Sequence, residues 1–195
     1  FPQRIIGYAC NNPNYSEESM EELTRCFDSL AFRGVKTHPM FHAYPADGPE
    51  YRPVWEFAAH RGRPLLTHTL GGDPYCSPKM FDALAGEYPQ VPILLGHAGN
   101  NLPGVQEAIE VCRKHDNVFL DLNYATIYYG IIEHLVDRVG AEKLAFGSDV
   151  SWNSLSYSLG IILYAKIHDE AKEKILGLNI APFFDVPVKK VFTHP

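Results

Sequence analysis

Six short apolar runs recur along the chain, and each one ends at or beside a polar residue. They occupy residues 4–10, 34–38, 64–68, 91–97, 117–123 and 143–149. The polar residues at their ends, from Asn11 to Asp149, are 26 to 30 positions apart, which is the length of one βα unit. The pattern therefore predicts six parallel strands, each followed by a helix.

The segments between these runs have the spacing of amphipathic helices. Apolar residues three and four positions apart predict a helix that has Ser16 as its N-cap and reaches Leu30. Ser77 and Pro78 have the chemistry of an N-cap and a first helical residue, and that helix should end near Tyr88. Further helices are expected at about 53–60 with Gly62 as the stop, 105–114, 131–139 closed by Gly140, and as a pair after 158 that is separated near Asp169.

Strands joined by helices need right-handed crossovers, so consecutive strands become neighbours and the helices cover the outside. The expected fold class is therefore α/β, of the (β/α)8 TIM-barrel type, with about six of the eight βα units in this chain. A complete barrel usually needs about 250 residues, and the chain has 195. The partial barrel is expected to span 1–184, followed by a C-terminal tail at 185–195.

Composition and charge exclude several functional classes. Hydrophobic residues make up 46% of the chain and charged residues 21%, as in ordinary globular proteins. The net charge of −6, without a basic stripe, argues against a nucleic-acid partner and against docking on an anionic membrane. No transmembrane run or signal peptide is visible, so a cytoplasmic protein is expected. The four cysteines show no close pairing and are expected to be reduced.

Three strand ends carry side chains that could bind a metal ion. Alternation places Ile93, Leu95 and His97 on one face of the fourth strand, and this face is expected to point into the barrel. The same rule directs His68 and Asp149 to the barrel mouth. Two imidazoles and a carboxylate that converge there suit zinc or a related divalent ion. The alternative is that each histidine is an ordinary core or loop residue.

In order, these runs resemble the motifs of the amidohydrolase superfamily, in the amidohydrolase-related branch that includes aminocarboxymuconate-semialdehyde decarboxylase. The resemblance is carried by G-V-K-T-H-P at 34–39, P-L-L-T-H-T at 64–69, L-G-H-A-G at 95–99, N-V-F-L-D at 117–121 and F-G-S-D at 146–149. The segment K-I-L-G-L-N at 174–179 resembles the helix that closes such barrels. The resemblance implies that the six strands correspond to barrel strands three to eight. The first two, with the H-x-H motif of the family's first strand, have no counterpart here.

The resemblance also implies roles for individual residues. His68 and Asp149 would be metal ligands, and Asp149 would also handle the proton of a metal-bound water. His97 would be a third ligand, a catalytic acid/base or a group that polarises a carbonyl. Lys36 matches a position that in binuclear relatives is a carbamylated bridging lysine; contact with substrate is the alternative favoured here. His38 is expected to orient a substrate or a neighbouring side chain.

Aromatic residues collect just beyond the strand ends. Among them, Tyr124 and Trp152 are expected to line a pocket for a flat or aromatic substrate, and the alternative is simple packing over helix ends. Unpaired edges of the first and last strands would favour self-association or cover by another segment, and a homo-oligomer is expected.

Three functions follow from the resemblance and the residues. The first is metal-dependent hydrolysis, in which a metal-activated water attacks a small carbonyl-containing substrate, with zinc as the expected metal. Non-oxidative decarboxylation of an aromatic or unsaturated acid needs the same residues. The third possibility is a non-catalytic truncated barrel that serves binding or assembly.

Overall fold

A computed structural model of the chain describes residues 4–123 and 128–187. Within these ranges, six parallel strands form one sheet in sequence order. The strands are β1 (Tyr8–Cys10), β2 (Gly34–Thr37), β3 (Leu65–His68), β4 (Ile93–Gly96), β5 (Val118–Asp121) and β6 (Leu144–Ala145). Each strand falls inside one of the six apolar runs, so the predicted strand positions and their parallel order are confirmed.

Helices follow the strands and cover the outside of the sheet. The α-helices of the described residues are α1 (Ser16–Leu30), α2 (Pro39–His42), α3 (Arg52–Arg61), α4 (Phe81–Glu87), α5 (Leu102–Lys114), α6 (Ile131–Val139), α7 (Leu155–Leu163) and α8 (Asp169–Glu173). After α8 the chain continues as a π-helical turn, Lys174–Leu178, and a 3-10 turn, Ala181–Phe184.

Neither of two predicted N-cap side chains makes a capping hydrogen bond. Ser16 is the first residue of α1 rather than its cap, and no side chain caps this helix. Ser77 stands at the predicted N-cap position with Pro78 after it, but its side chain makes no capping hydrogen bond, and the first turn is a 3-10 turn before α4 begins. The Ser77 hydroxyl instead donates a hydrogen bond to the carboxylate of Glu107 on α5. Cap rules consider only residues that are close in sequence, so they do not anticipate a partner 30 positions away.

The other helix ends agree better with the sequence. Gly62 and Gly140 end α3 and α6, with φ angles of 59° and 84° that favour glycine. The final helix pair is observed as α7 and α8, and α8 begins at Asp169. Helix α5 begins earlier than expected, because the Asn101 side chain accepts a hydrogen bond from the Gly104 N–H (2.8 Å) and caps it.

The strand register decides which residues face the barrel interior. Lys36, Leu66 and Leu94 lie side by side across β2, β3 and β4, and all three line one cavity. Ile93 and Leu95 belong instead to the hydrophobic core shared with the helices. The prediction that Ile93 and Leu95 point into the barrel is therefore wrong. Alternation separates the two faces of a strand, but it does not say which face is interior when both are apolar.

The C-terminal turn covers the N-terminal end of the barrel. The ring of Phe184 packs edge-on against Tyr8 of β1, with the ring centroids 5.5 Å apart. Arg33, just before β2, donates to the carbonyl of Phe184, and Arg63, just before β3, donates to that of Phe183 (3.3 Å). Because Phe184 also lines the interior cavity, this turn forms the floor of that cavity.

Two further expectations concern the chain as a whole. The cysteines at 10, 26, 76 and 112 all lie in the described ranges, and all four are free thiols. Among residues 4–123 and 128–187, no helix is long and apolar enough to span a membrane.

Candidate active site

A cavity of about 420 Å³ lies inside the barrel. Its charged and polar groups come from β2, from the turn after β4, from β5 and from the segment after β6; they include Lys36, His97, Asp121 and Asp149. Its apolar wall includes Tyr8, Leu66, Leu94, Ile180 and Phe184. The cavity thus combines groups that can carry charge with a surface that suits a hydrocarbon ring.

Three imidazole rings form a column at the ends of β2, β3 and β4. The rings of His38 and His68 are stacked, with centroids 4.1 Å apart, and the ring of His97 meets His68 edge-on at 4.6 Å. Phe41 stacks on the other face of His38, and its backbone N–H donates to His38 Nδ1 (3.3 Å). His38 lies against His68 and is not part of the cavity lining. This placement favours a role in orienting His68 over direct contact with substrate.

Burial keeps the histidines of this column neutral. Desolvation lowers the pKa of His68 to about 3 and that of His38 to about 4, and the nearby Lys36 adds to both effects. The Nε2 atom of His68 is buried and has no hydrogen-bond partner among the described residues. A neutral imidazole with a free nitrogen is the form that binds a divalent metal ion. His68 therefore fits the predicted role of a metal ligand.

His97 reaches the cavity through a left-handed turn. Strand β4 ends at Gly96, and the next four residues have φ angles of 66°, 45°, 92° and 60°. Each non-glycine residue in this region costs about 1–3 kcal/mol, so the surroundings must hold the turn in place. The pKa of His97 is lowered by burial and by Lys36, while Asp149 and hydrogen bonds with Asn123 oppose this.

Asp149 follows β6 and lines the same cavity. It has a left-handed backbone (φ 51°), and its Oδ2 accepts a hydrogen bond from the Asn153 side chain (3.3 Å). Burial lowers the pKa of Lys36, and the carboxylates of Asp121 and Asp149 counteract part of this effect. The structure therefore brings Lys36, Asp149 and His97 together at one cavity.

The predicted metal-ligand set is only loosely assembled. His68 lies beside His97, and His97 and Asp149 share the cavity. In the part of the chain that the structure describes, however, no three His, Cys, Asp or Glu side chains are grouped so that they could hold a metal ion. The donor types fit a divalent ion, and the assignment of these three residues as its ligands stays a prediction.

Asp121 is a site residue that the sequence reasoning missed. It is 5% exposed, lines the cavity, and accepts hydrogen bonds from both the side chain and the backbone N–H of Asn123. Burial raises its pKa to about 6, although Asn123 and the nearby Lys36 oppose the shift. The available signal was an aspartate at the end of an apolar run, at the end of β5. The sequence does not show that this side chain is interior.

Of two predicted substrate contacts, one lies away from the cavity and the other is outside the described residues. Trp152 is 88% exposed and does not belong to the cavity lining. Tyr124 lies outside the described residues.

In the metal-free chain, the free energy of unfolding is expected to decrease as the pH falls from about 6.5 to about 4. Folded His38 and His68, with pKa values of about 4 and 3, bind protons less readily than unfolded histidine at 6.5. Protonation therefore favours the unfolded state. Asp121 acts in the opposite direction, because its pKa is raised in the folded state, from 3.8 to about 6.

Urea unfolding at a series of pH values measures this effect. The variant His38→Gln should show a shallower decrease than the wild type, because one of the two histidines no longer titrates. An equally steep decrease in this variant would contradict the assignment of the effect to His38.

Residues 1–186 match the family model described as amidohydrolase. The chain belongs to the amidohydrolase family. Gamma-resorcylate decarboxylase from Rhodococcus jostii (strain RHA1) is 22% identical over 94% of this chain and 71% of that protein. The predicted membership in this superfamily is thereby confirmed, and with it the prediction of an amidohydrolase-related enzyme family.

Solved structures confirm the fold class. An uncharacterized TIM-barrel protein from Bordetella bronchiseptica superposes with a TM-score of 0.83 at 22% identity, covering 95% of this amidohydrolase chain and 68% of the other. A dihydroxybenzoic acid decarboxylase from Polaromonas sp. JS666, with bound manganese and the inhibitor 2-nitroresorcinol, has a TM-score of 0.76 at 17% identity, over 94% and 70% of the two chains. The domain boundary at 184, the homo-oligomer and the cytoplasmic location stay predictions.

Proposed function

We propose that this amidohydrolase-family protein is a metal-dependent decarboxylase that removes carbon dioxide from a hydroxylated aromatic acid. The observation that carries the proposal is the cavity, which pairs the ammonium group of Lys36 with an apolar wall. A space of about 420 Å³ suits a single aromatic ring with its substituents. Two similar proteins with named activities, those from Rhodococcus jostii and Polaromonas, are decarboxylases of such acids. Decarboxylation is therefore better supported than hydrolysis.

The donors at the strand ends suit a divalent cation in their chemistry. The proposed ligands are the buried, unpartnered Nε2 of His68 and the carboxylate of Asp149, with His97 as a possible third. Bound there, a divalent ion would supply Lewis-acid stabilisation of negative charge on the substrate oxygens. Manganese is bound in a similar structure, whereas zinc has no such support, so manganese is the first ion to test.

Side chains of the protein bind the substrate and transfer the proton. The ammonium of Lys36 binds the negatively charged end of the substrate, and Leu66 and Leu94 contact the ring. His97 and Asp149 transfer a proton to the ring carbon that bears the carboxylate. The bond between this carbon and the carboxylate then breaks, its electron pair returns to the ring, and carbon dioxide leaves.

The proposal is tested by incubating the purified chain with manganese and γ-resorcylate (2,6-dihydroxybenzoate). The expected products are resorcinol and carbon dioxide in equal amounts, and chelation of the metal should stop their formation. Hydrolysis of a lactone or amide panel, without turnover of any hydroxybenzoate, would instead restore the hydrolase interpretation.

Replacing Lys36 with methionine is expected to raise KM for the aromatic acid by about tenfold or more, since a hydrogen bond to a charged group contributes about 1.5–3 kcal/mol. Methionine keeps the apolar stem of lysine and removes its charge. Steady-state kinetics measure the change, with Lys36→Arg as the matched variant that keeps a cation. A KM unchanged in Lys36→Met would remove Lys36 from substrate binding.

A further inference from the structure

We propose that Thr69 is a positioning residue for His97, and that its hydroxyl fixes the left-handed turn that carries the imidazole into the cavity. The inference rests on the proposed function only in that His97 takes part in the reaction. Thr69 is fully buried and directly follows β3. Its Oγ1 donates to the carbonyl of Gly96 (2.6 Å) and accepts from the N–H of Gly99 (3.0 Å). These two backbone groups lie on either side of His97 in the sequence.

The turn needs such a contact because its backbone is held in an unfavourable region. Residues 97–100 all have positive φ, and three of the four are not glycine. The Gly71 N–H also donates to the carbonyl of Gly99 (3.0 Å), so both backbone polar groups of Gly99 are hydrogen-bonded. A hydroxyl can donate and accept at once, so it can pair with both the Gly96 carbonyl and the Gly99 N–H. Valine has the same shape as threonine and can do neither.

The same strand end also carries His68. Successive residues of a strand point to opposite sides, so His68 points to the imidazole column while Thr69 points to the turn after β4. The imidazole rings of His68 and His97 lie edge to face, with centroids 4.6 Å apart. The dipeptide His68-Thr69 therefore positions both imidazole rings. It carries the His68 ring itself, and it positions the His97 ring through the hydroxyl of Thr69.

Thr67 provides a matched control for a purely structural role. It is as fully buried as Thr69 and lies two residues before it, within β3. Its hydroxyl is 3.4 Å from the carbonyl of the next residue, His68, and makes no hydrogen bond to the turn at 97–100. Replacing either threonine with valine removes one buried hydroxyl, but only the change at Thr69 should affect His97.

The experiment compares Thr69→Val, Thr69→Ser and Thr67→Val in the full chain. The position of the His97 ring is followed by NMR of nitrogen-labelled histidine without manganese, with the resonances assigned through His97→Gln. Turnover is followed with manganese and γ-resorcylate.

For Thr69→Val, the His97 ring resonances should shift and kcat should fall about tenfold or more, because a small misplacement of a catalytic group is costly. KM should stay near its wild-type value, since Lys36 is untouched. Thr69→Ser should restore both the resonances and kcat, and Thr67→Val should resemble the wild type. If Thr69→Val does not fold, Thr69→Cys, a much weaker donor and acceptor, is measured in its place.

Unchanged His97 resonances in Thr69→Val would overturn the proposal, as would an equal shift and equal loss of kcat in Thr67→Val. If the wild type turns over no hydroxybenzoate, the proposed function fails. The NMR comparison then still decides the role of Thr69.

Discussion

Asparagine in place of Asp149 is expected to lower kcat for decarboxylation by about 10²–10⁴-fold, the range expected for loss of an acid/base group. The carboxylate shares the cavity with Lys36 and His97, and its charge opposes the lowering of the pKa of both groups by burial. Asparagine keeps the shape of the side chain and tolerates the left-handed backbone at this position. The loss should therefore come from the missing charge rather than from a change in fold.

Steady-state kinetics with manganese and γ-resorcylate measure this loss, and calorimetric titration with manganese should show weaker binding. Asp185→Asn is the matched control, because Asp185 also has a left-handed backbone but pairs with Arg63 at the surface. A kcat for Asp149→Asn close to that of this control would exclude Asp149 from the reaction.

Replacing Gly104 with alanine is expected to lower the free energy of unfolding by about 3 kcal/mol, at the upper end of the usual cost of overpacking. A Cβ at this position would lie 2.0 Å from the carbonyl oxygen of Gly99 and 2.6 Å from the backbone N of Gly71. Both neighbours are backbone atoms, so no side-chain rotation can relieve the contact. The turn that carries His97 should be displaced as well.

Urea unfolding measures the loss, and Gly86→Ala in α4 is the control. Its new Cβ would meet only one side-chain atom, 3.7 Å away on His115. That variant should be as stable as the wild type or more stable by about 0.5–1 kcal/mol, because alanine favours a helix over glycine. Equal stability of Gly104→Ala and Gly86→Ala would mean that the contacts of Gly104 with Gly99 and Gly71 are not tightly packed.

The sequence by itself determined where the strands and most helices lie. Strands that are buried on both faces require runs of apolar residues. The polar residue after each run marks the place where the strand reaches solvent or a cavity. The same pattern placed His68 at the end of β3, whereas Asp149 lies four residues beyond the observed end of β6. The ordered motifs led to the amidohydrolase family. These features depend on residues that are close together in the chain, so local periodicity and motif order are sufficient to find them.

Only the tertiary structure decided which face of β4 is interior and how His97 reaches the cavity. Both faces of that strand are apolar, so its residue pattern does not show which face is interior. The register with β3 places Leu94 beside Leu66, on the interior face. A left-handed backbone turns His97 inward. Hydrogen bonds with Thr69, which follows β3, hold that backbone in place. The burial that raises the pKa of Asp121 comes from segments of the fold that are distant in sequence. Contacts between distant segments set these properties, and no local pattern in the sequence records them.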